Sequence, residues 1–265
     1  TAINKHKVTV LFTAPTMYRT LTPLLRESAL PSLRLCNSAG EVLPKATWDA
    51  WHRATGLPIY DGIGATEMLH NFIASRDGGI RPGATGQTVP GYEATVLDER
   101  GNTAPPGVIG RLAIRGPTGC RYMANPERQA SYVLQGWNLT GDSYLRDEAG
   151  YFWYQSRTDD LIVSAGYNIS GPEIEAVLLE FPGVADCVVI GCPDARRGQI
   201  VKAFVVLQDP GHAGPDLVKA LQDHVKATIA PYKYPRAVEF IDRLPRTATG
   251  KVQRFALHDR QTAAS

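Results

Sequence analysis

The sequence predicts an α/β protein in two parts, a parallel sheet that passes into antiparallel β structure, followed by a small α+β domain. Three observations carry this. Over residues 7–64, short apolar β-branched runs alternate with helical patterns, the texture of a parallel sheet with helices on its faces. From about Ile80, strand-like runs are separated by Gly-Asn and Pro-Pro-Gly turn signals, which favour antiparallel pairing. After Arg157, a helix–strand–strand–helix–strand pattern of roughly 100 residues closes on itself.

Taken in order, "KVTVLF" reads as strand and "TMYRTLTPLLRES" as helix. "LRLCNS" then reads as strand, "LPKATWDAWHRAT" as helix and "LPIYDGIG" as strand. "GYEATVLDERGNTAPPGVIGRLAIRG" holds two strands, and "RDEAG" before "GYFWYQS" signals a hairpin. "GPEIEAVLLEFPG" begins with Pro172 near its first turn and stops at Pro182-Gly183, as a helix should. "VADCVVIGC", "IVKAFVVL" and "RAVEFID" are strands, with the helix "GPDLVKALQDHVKATIAP" between the last two. The expected division is 1–157, with a β-rich part over about 80–157, and 158–265. No internal repeat or low-complexity tract stands out.

The chain has 265 residues, 43% hydrophobic and 20% charged, which suits one large or two modest folded domains. Its 25 glycines and 19 prolines exceed average usage, about 12% together, and point to many tight turns and functional loops. Lys plus Arg is 28 and Asp plus Glu is 26, a formal +2. That balance argues against a general nucleic-acid binder and a polybasic membrane anchor. No apolar run approaches the roughly 20 residues of a membrane-spanning helix, and the start lacks a signal-peptide layout. Cys36, Cys120, Cys187 and Cys192 form no C-x-x-C pair and have no histidine at zinc spacing, so they read as unpaired thiols in a reducing compartment. The expected location is cytoplasmic.

Four segments carry candidate chemistry: "GIGATEM" (62–68), "LTGD" (139–142), "RTDDLIVSAGYNISGPEIE" (157–175) and "PRTATGKVQR" (245–254). Singly, each has an ordinary reading. Thr66 and Glu67 suit a helix cap and first turn, Asp142 a turn, and the two basic segments solvated loops. In this order and spacing, the four resemble the adenylate-forming superfamily of acyl- and aryl-CoA synthetases, peptide-synthetase adenylation domains and luciferases. "SAGEVLPKATWDAWHRATGLPIYDGIGATEM", "RGPTGCRYM" and "GYFWYQSRTDDLIVSAGYNISGPEIE" most resemble benzoate- and 2-aminobenzoate-CoA ligases. The tail "APYKYPR…LPRTATGK" is shared with medium-chain acyl-CoA synthetases.

The resemblance implies ATP, Mg²⁺ and CoA as the small molecules handled, with a carboxylic acid as substrate. A carboxylate is joined to the α-phosphate of ATP with loss of pyrophosphate, and a thiol then displaces AMP. Because an anion meets a polyanion, the site must supply cations and hydrogen-bond donors. Thr66 would donate to the α-phosphate and Glu67 would hold Mg²⁺. Asp142 would accept from the ribose hydroxyls, and Arg157 would contact the ribose side. Ser38, Ala39, Gly40 and Glu41 would lie along the adenine, with Asp61 and Gly62 at its edge. Lys251 would bridge carboxylate and α-phosphate. Asp159 would be the hinge on which the small domain turns, withdrawing Lys251 and bringing in Ser164, Ala165, Gly166 and Tyr167 beside the pantetheine. Lys233 and Arg236 would meet CoA phosphates. Ala14, Ile63 and Gly64 would line the acyl pocket. His70 would join them there or serve as a core histidine.

One departure stands out. The Ser/Thr/Gly-rich loop ending in Pro-Lys, which cradles the β- and γ-phosphates in this superfamily, does not occur here. The expected fold is therefore a remnant of the large domain, with its parallel sheet and antiparallel subdomain, followed by the small domain: the carboxyl-terminal half of a ligase. Such a chain alone is expected to be inactive and to associate through its truncated face. The alternatives are a medium-chain synthetase, a catalytically silent folding or interaction unit, or a peptide-synthetase adenylation domain. No carrier motif follows Lys251.

Overall fold

The computed structural model describes residues 2–25, 30–158, 160–247 and 252–262. The chain separates into two compact units, Thr1–Tyr154 and Gln155–Ser265.

In the first unit, α1 (Ala2–Lys5) leads into β1 (Val10–Thr13) and α2 (Pro15–Leu21). Pro15 opens α2 at a position where its missing N–H costs nothing. Pro23 does not continue the α-helix, so the expected long helix ends early in a 3₁₀ turn, Thr22–Leu24. β2 (Leu35–Ser38), α3 (Lys45–Thr55) and β3 (Ile59–Gly64) follow. β1, β2 and β3 are parallel, in that order. One face of this sheet packs on α2 and α3 through Tyr18, Cys36, Trp51 and Ile59, where Tyr18 and Trp51 meet edge-on at 4.8 Å.

Antiparallel pairing begins earlier than the sequence suggested. β4 (Asn71–Ala74) already runs antiparallel to β3, and β5 (Gln87–Thr88) to β4. The reversal depends on a 3₁₀ turn at Thr66–Met68 and on Leu69, whose φ is 66°. A second sheet, in the order β10-β9-β7-β6, is built from β6 (Glu93–Leu97), β7 (Gly110–Arg115), β9 (Trp137–Arg146) and β10 (Phe152–Arg157). The two-residue β8 (Val133–Leu134) follows α4 (Pro126–Tyr132) and pairs with β9. Phe72, Leu112, Ile114, Tyr144 and Phe152 form the core here.

The second unit holds β11 (Ile162–Ser164), β12 (Tyr167–Ile169), α5 (Gly171–Glu180), β13 (Val184–Asp194), β14 (Gly198–Leu207), α6 (Pro215–Thr228), β15 (Ala237–Phe240) and α7 (Arg254–Thr262). β13 and β14 make a long antiparallel ladder, and β15 adds parallel to β14. Ser170 caps α5 by accepting from the Glu173 N–H at 3.2 Å. Ile174 and Leu178 of α5 and Leu221 and Val225 of α6 are fully buried against one side of the sheet, each contributing about 1.5–3 kcal/mol. Val188, Ile190 and Phe204 form a separate cluster with Leu244 and Leu257. No described helix is long and apolar enough to cross a membrane. None of the four cysteines is in a disulfide; Cys36, Cys187 and Cys192 are buried. Burial pushes the Cys36 thiol up to about 11 and raises that of Cys192.

Candidate functional site

In the first unit the candidates gather at the carboxyl ends of β2 and β3, where parallel α/β sheets bind ligands. Ser38 ends β2 and pairs in register with Asp61 on β3. Both are buried, and neither Ser38 Oγ nor Asp61 Oδ1 has a hydrogen-bond partner. Burial pushes the Asp61 carboxyl up to about 8. The Ser38 hydroxyl lies near enough to favour the anion without reaching hydrogen-bond geometry, and the Gly62 N–H also draws the pKa down, so the two only partly offset burial. Ala39, Gly40 and Glu41 follow β2. The Glu41 carboxylate accepts from Thr16 Oγ1 at 2.6 Å and from the Thr16 N–H at 3.3 Å, tying this loop to α2. Ala14, half-buried, is the residue before α2.

β3 leads directly into Thr66 and Glu67. Close approach requires glycine at position 64, where the neighbour is backbone, and favours it at 62, where the neighbour is a side-chain end. A Cβ on Gly62 would stand 2.5 Å from Asn71 Nδ2, and one on Gly64 2.7 Å from the His70 carbonyl oxygen. The hairpin to β4 is bulged between Ile63 and Gly64, so the chain turns out and presents Thr66 to solvent. His70 is exposed, with Nδ1 accepting from the Asn71 N–H at 2.7 Å, which excludes the core-histidine reading. Ile63 is half-buried.

Glu67 is held from the segment after β7. The Tyr122 hydroxyl donates to Glu67 Oε1 at 2.6 Å, and this bond is the main cause that raises the Tyr122 pKa. Arg128, on α4, lies 4.4 Å from the centre of the Tyr122 ring and 3.9 Å from Glu67 Oε1. Thr118 Oγ1 donates to the Met68 carbonyl at 2.8 Å. Neither Tyr122 nor Arg128 stood out in the sequence, although Tyr122 lies inside the "RGPTGCRYM" segment. No group of three or more His, Cys, Asp or Glu side chains gathers to hold a metal among the described residues. Glu67 alone offers a carboxylate that suits Mg²⁺ carried on a nucleotide, since that ion takes most of its ligands from phosphates and water.

Asp142 is buried on β9, with its N–H donating to Thr140 Oγ1 at 3.2 Å. Two residues on, Tyr144 is buried 3.3 Å from Thr85 Oγ1. Burial raises its pKa most, and the Asp142 and Asp61 charges add to that. Asp61 and Asp142, distant in sequence, thus act on one phenol.

In the second unit, Ser164 is buried and Ala165 and Gly166 form the two-residue turn between β11 and β12, at φ of 50° and 82°. That geometry favours glycine at both positions. Tyr167 is exposed and stacks on Tyr232 at 4.4 Å. Lys233 is not an open cation: its ammonium donates to both Glu173 oxygens at 2.7 and 2.6 Å. Arg236 donates to the Tyr234 hydroxyl at 2.6 Å. Arg157 is exposed at the end of β10. Lys251 and the hinge candidate Asp159 lie outside the described residues. The flanks of Lys251 are fixed, however. Arg246 bridges Val252 in antiparallel fashion and pairs with Asp186 at 2.5 Å. Arg254 pairs with Glu175 at 2.8 Å and donates to the Val189 carbonyl at 2.8 Å.

The family described as AMP-binding enzyme matches residues 1–122, and the AMP-binding enzyme C-terminal domain matches residues 173–251. The chain belongs to the adenylate-forming, AMP-binding enzyme family, whose members similar to it include acyl- and aryl-CoA ligases. It is 41% identical to a mitochondrial acyl-coenzyme A synthetase of Mus musculus, over 98% of this chain and 46% of that protein. It is 40% identical to a benzoate–CoA ligase of Thauera aromatica, over 96% of this chain and 49% of that protein. The crystal structure of an anthranilate CoA ligase in complex with anthranoyl-AMP superposes with a TM-score of 0.91 at 42% identity, over 99% of this chain and 50% of the other. The chain thus spans about half the length of these relatives.

Proposed function

We propose that this chain is the carboxyl-terminal half of an ATP-dependent acid:CoA ligase acting on an aromatic acid such as benzoate or 2-aminobenzoate. The observation that carries the reading is the Thr66–Glu67 turn at the carboxyl end of β3, exposed at Thr66 and held from behind by Tyr122. In the first step a carboxylate oxygen bonds to the α-phosphorus and the bond to pyrophosphate breaks. Thr66 donates to the α-phosphate, and Glu67 would hold the Mg²⁺, which when bound would offset phosphate charge. Asp142 accepts from the ribose, with Arg157 beside it, and the loop from Ser38 to Glu41 lies against the base with Asp61 and Gly62. Lys251 brings a cation to the carboxylate as it approaches. In the second step the CoA sulfur bonds to the acyl carbon and AMP leaves. For this step residues 158–265 turn about Asp159, and Ser164 to Tyr167 line the pantetheine path. Lys233 reaches a CoA phosphate only by leaving Glu173, and Arg236 lies nearby in sequence. Ala14, Ile63, Gly64 and His70 border the acid.

A medium-chain acid is the second reading, favoured by the 41% identity to the Mus musculus synthetase. Thioester formation by the chain extended to its relatives' length, tested on benzoate, 2-aminobenzoate and medium-chain acids, decides between them. Preference for hexanoate or octanoate would favour the second reading. The 265-residue chain alone is expected to bind a benzoyl sulfamoyl-adenosine analogue weakly and to release no measurable pyrophosphate, since these residues include no loop donors to the β- and γ-phosphates. Turnover comparable to a complete ligase would overturn that expectation, and no binding of the analogue would favour a catalytically silent unit.

A further inference from the structure

Glu67 sits on a three-residue 3₁₀ turn that is too short to fix its own side chain. The neighbouring Leu69 is 78% exposed, so little packing helps from that side. A free glutamate would sample several rotamers, and binding a cation would have to order it. The segment after β7 removes that freedom. Thr118 Oγ1 donates to the Met68 carbonyl at 2.8 Å, and Tyr92 and Thr118 hydroxyls meet at 2.7 Å, so the segment is pinned over the turn. The Tyr122 N–H donates to Gln129 Oε1 at 2.9 Å. Its ring lies edge-on to Tyr132 at 5.4 Å and beneath the Arg128 guanidinium at 4.4 Å. The backbone N–H and the ring of Tyr122 are thus held, and its hydroxyl donates to Glu67 Oε1 at 2.6 Å.

We propose that Tyr122 is a positioning residue that holds the Glu67 carboxylate in the orientation needed to receive the divalent cation of a metal–nucleotide complex. The inference rests on the ligase reading above. A neutral phenol is suited to the task, because it orients a carboxylate without cancelling its charge. Arg128 stays at 3.9 Å from Oε1, beyond a direct hydrogen bond. Partners of this kind, one shell removed from a metal, commonly change affinity by about tenfold or more when lost.

The test uses the 265-residue chain and its Tyr122→Phe, Glu67→Gln and doubly substituted variants. Thermal midpoints of the four proteins give the coupling between the two side chains. Electron paramagnetic resonance gives Mn²⁺ affinity in the presence of ATP, and calorimetry gives AMP affinity without metal. Tyr122→Phe is expected to weaken Mn²⁺ binding about tenfold while leaving metal-free AMP affinity unchanged, with no further loss in the double variant over Glu67→Gln. The midpoint shifts of the single changes should not add. Equal Mn²⁺ affinity in wild type and Tyr122→Phe overturns the role of Tyr122 and leaves the ligase reading standing. Equal loss of Mn²⁺ and metal-free AMP binding shows a merely structural side chain and overturns it too. If the protein extended to its relatives' length takes up neither AMP nor Mn²⁺–ATP, this proposal and the ligase reading both fall.

Discussion

The two units treat their polar candidates in opposite ways. In the first, Ser38, Asp61 and Asp142 are buried, and Ser38 Oγ and Asp61 Oδ1 lack partners. In the second, the charges lie nearer the surface and are matched: Lys233 with Glu173, Arg246 with Asp186, Arg254 with Glu175. An unpartnered buried polar atom costs stability and persists where something else supplies the missing bond. A matched ion pair at a loop's end fixes backbone. On the function proposed above, the first unit would read a ligand and the second would hold a segment in place.

Three changes test this contrast. The largest effect is expected from Lys251→Ala in a protein extended to its relatives' length. Adenylation should fall at least about 10²-fold, as when a positioned electrostatic donor is removed. Thioester formation from supplied acyl-adenylate and affinity for AMP should change little. Equal losses in both half-reactions would break the division between reading and holding.

Next comes Glu175→Ala. It removes the carboxylate partner of the Arg254 guanidinium, which keeps the Val189 carbonyl, and the acceptor of the Val189 N–H, which donates to Glu175 Oε1 at 2.7 Å. A partly buried pair broken in this way should cost about 3 kcal/mol, read as a lower urea midpoint for residues 155–265. A shift within a few tenths of a kcal/mol would mean that the pair is incidental.

The third effect, read as a pH slope rather than as lost activity or a shifted midpoint, belongs to Asp61→Asn. The Asp61 pKa is raised to about 8 by burial, so the folded chain holds a proton there that the unfolded chain releases near 4. The resulting contribution is complete below the unfolded pKa and is lost as pH rises through about 8. Asp61→Asn should flatten the fall in stability between pH 4 and 8 measured by chemical denaturation. An unchanged slope would show that Asp61 is ionised in the folded chain.

Long apolar patterns with clear stops were legible in the sequence. The stretch "GPEIEAVLLEFPG" became α5, and the apolar runs at 184–192 and 200–207 lie within β13 and β14. Short elements were not. β4 has four residues and α4 seven, too few to show a period. The position of β4 depends on the bulge at Gly64 and the reversal at Leu69. α7 escaped because Leu257 is its one fully buried apolar side chain among those described. Site residues set in local motifs, such as Thr66, Glu67 and Asp142, could be picked out. Their supports could not, because Tyr122 and Glu67 are 55 residues apart and Arg254 and Glu175 are 79 apart. The ion pair that occupies Lys233 was invisible for the same reason.

The buried cysteine thiols give each unit its own clock. Alkylating reagents attack thiolates, and a buried thiol with a raised pKa reacts only in molecules that have opened around it. Cys36 therefore times the opening of Thr1–Tyr154, while Cys187 and Cys192 time that of Gln155–Ser265. With half-buried Cys120 replaced by serine to remove background, mass spectrometry of a single labelling reaction would separate the two rates. If the Cys36 peptide gains label at the same pace as the Cys187 and Cys192 peptides, the halves of this chain melt as one. If it lags or leads, each half breathes on its own.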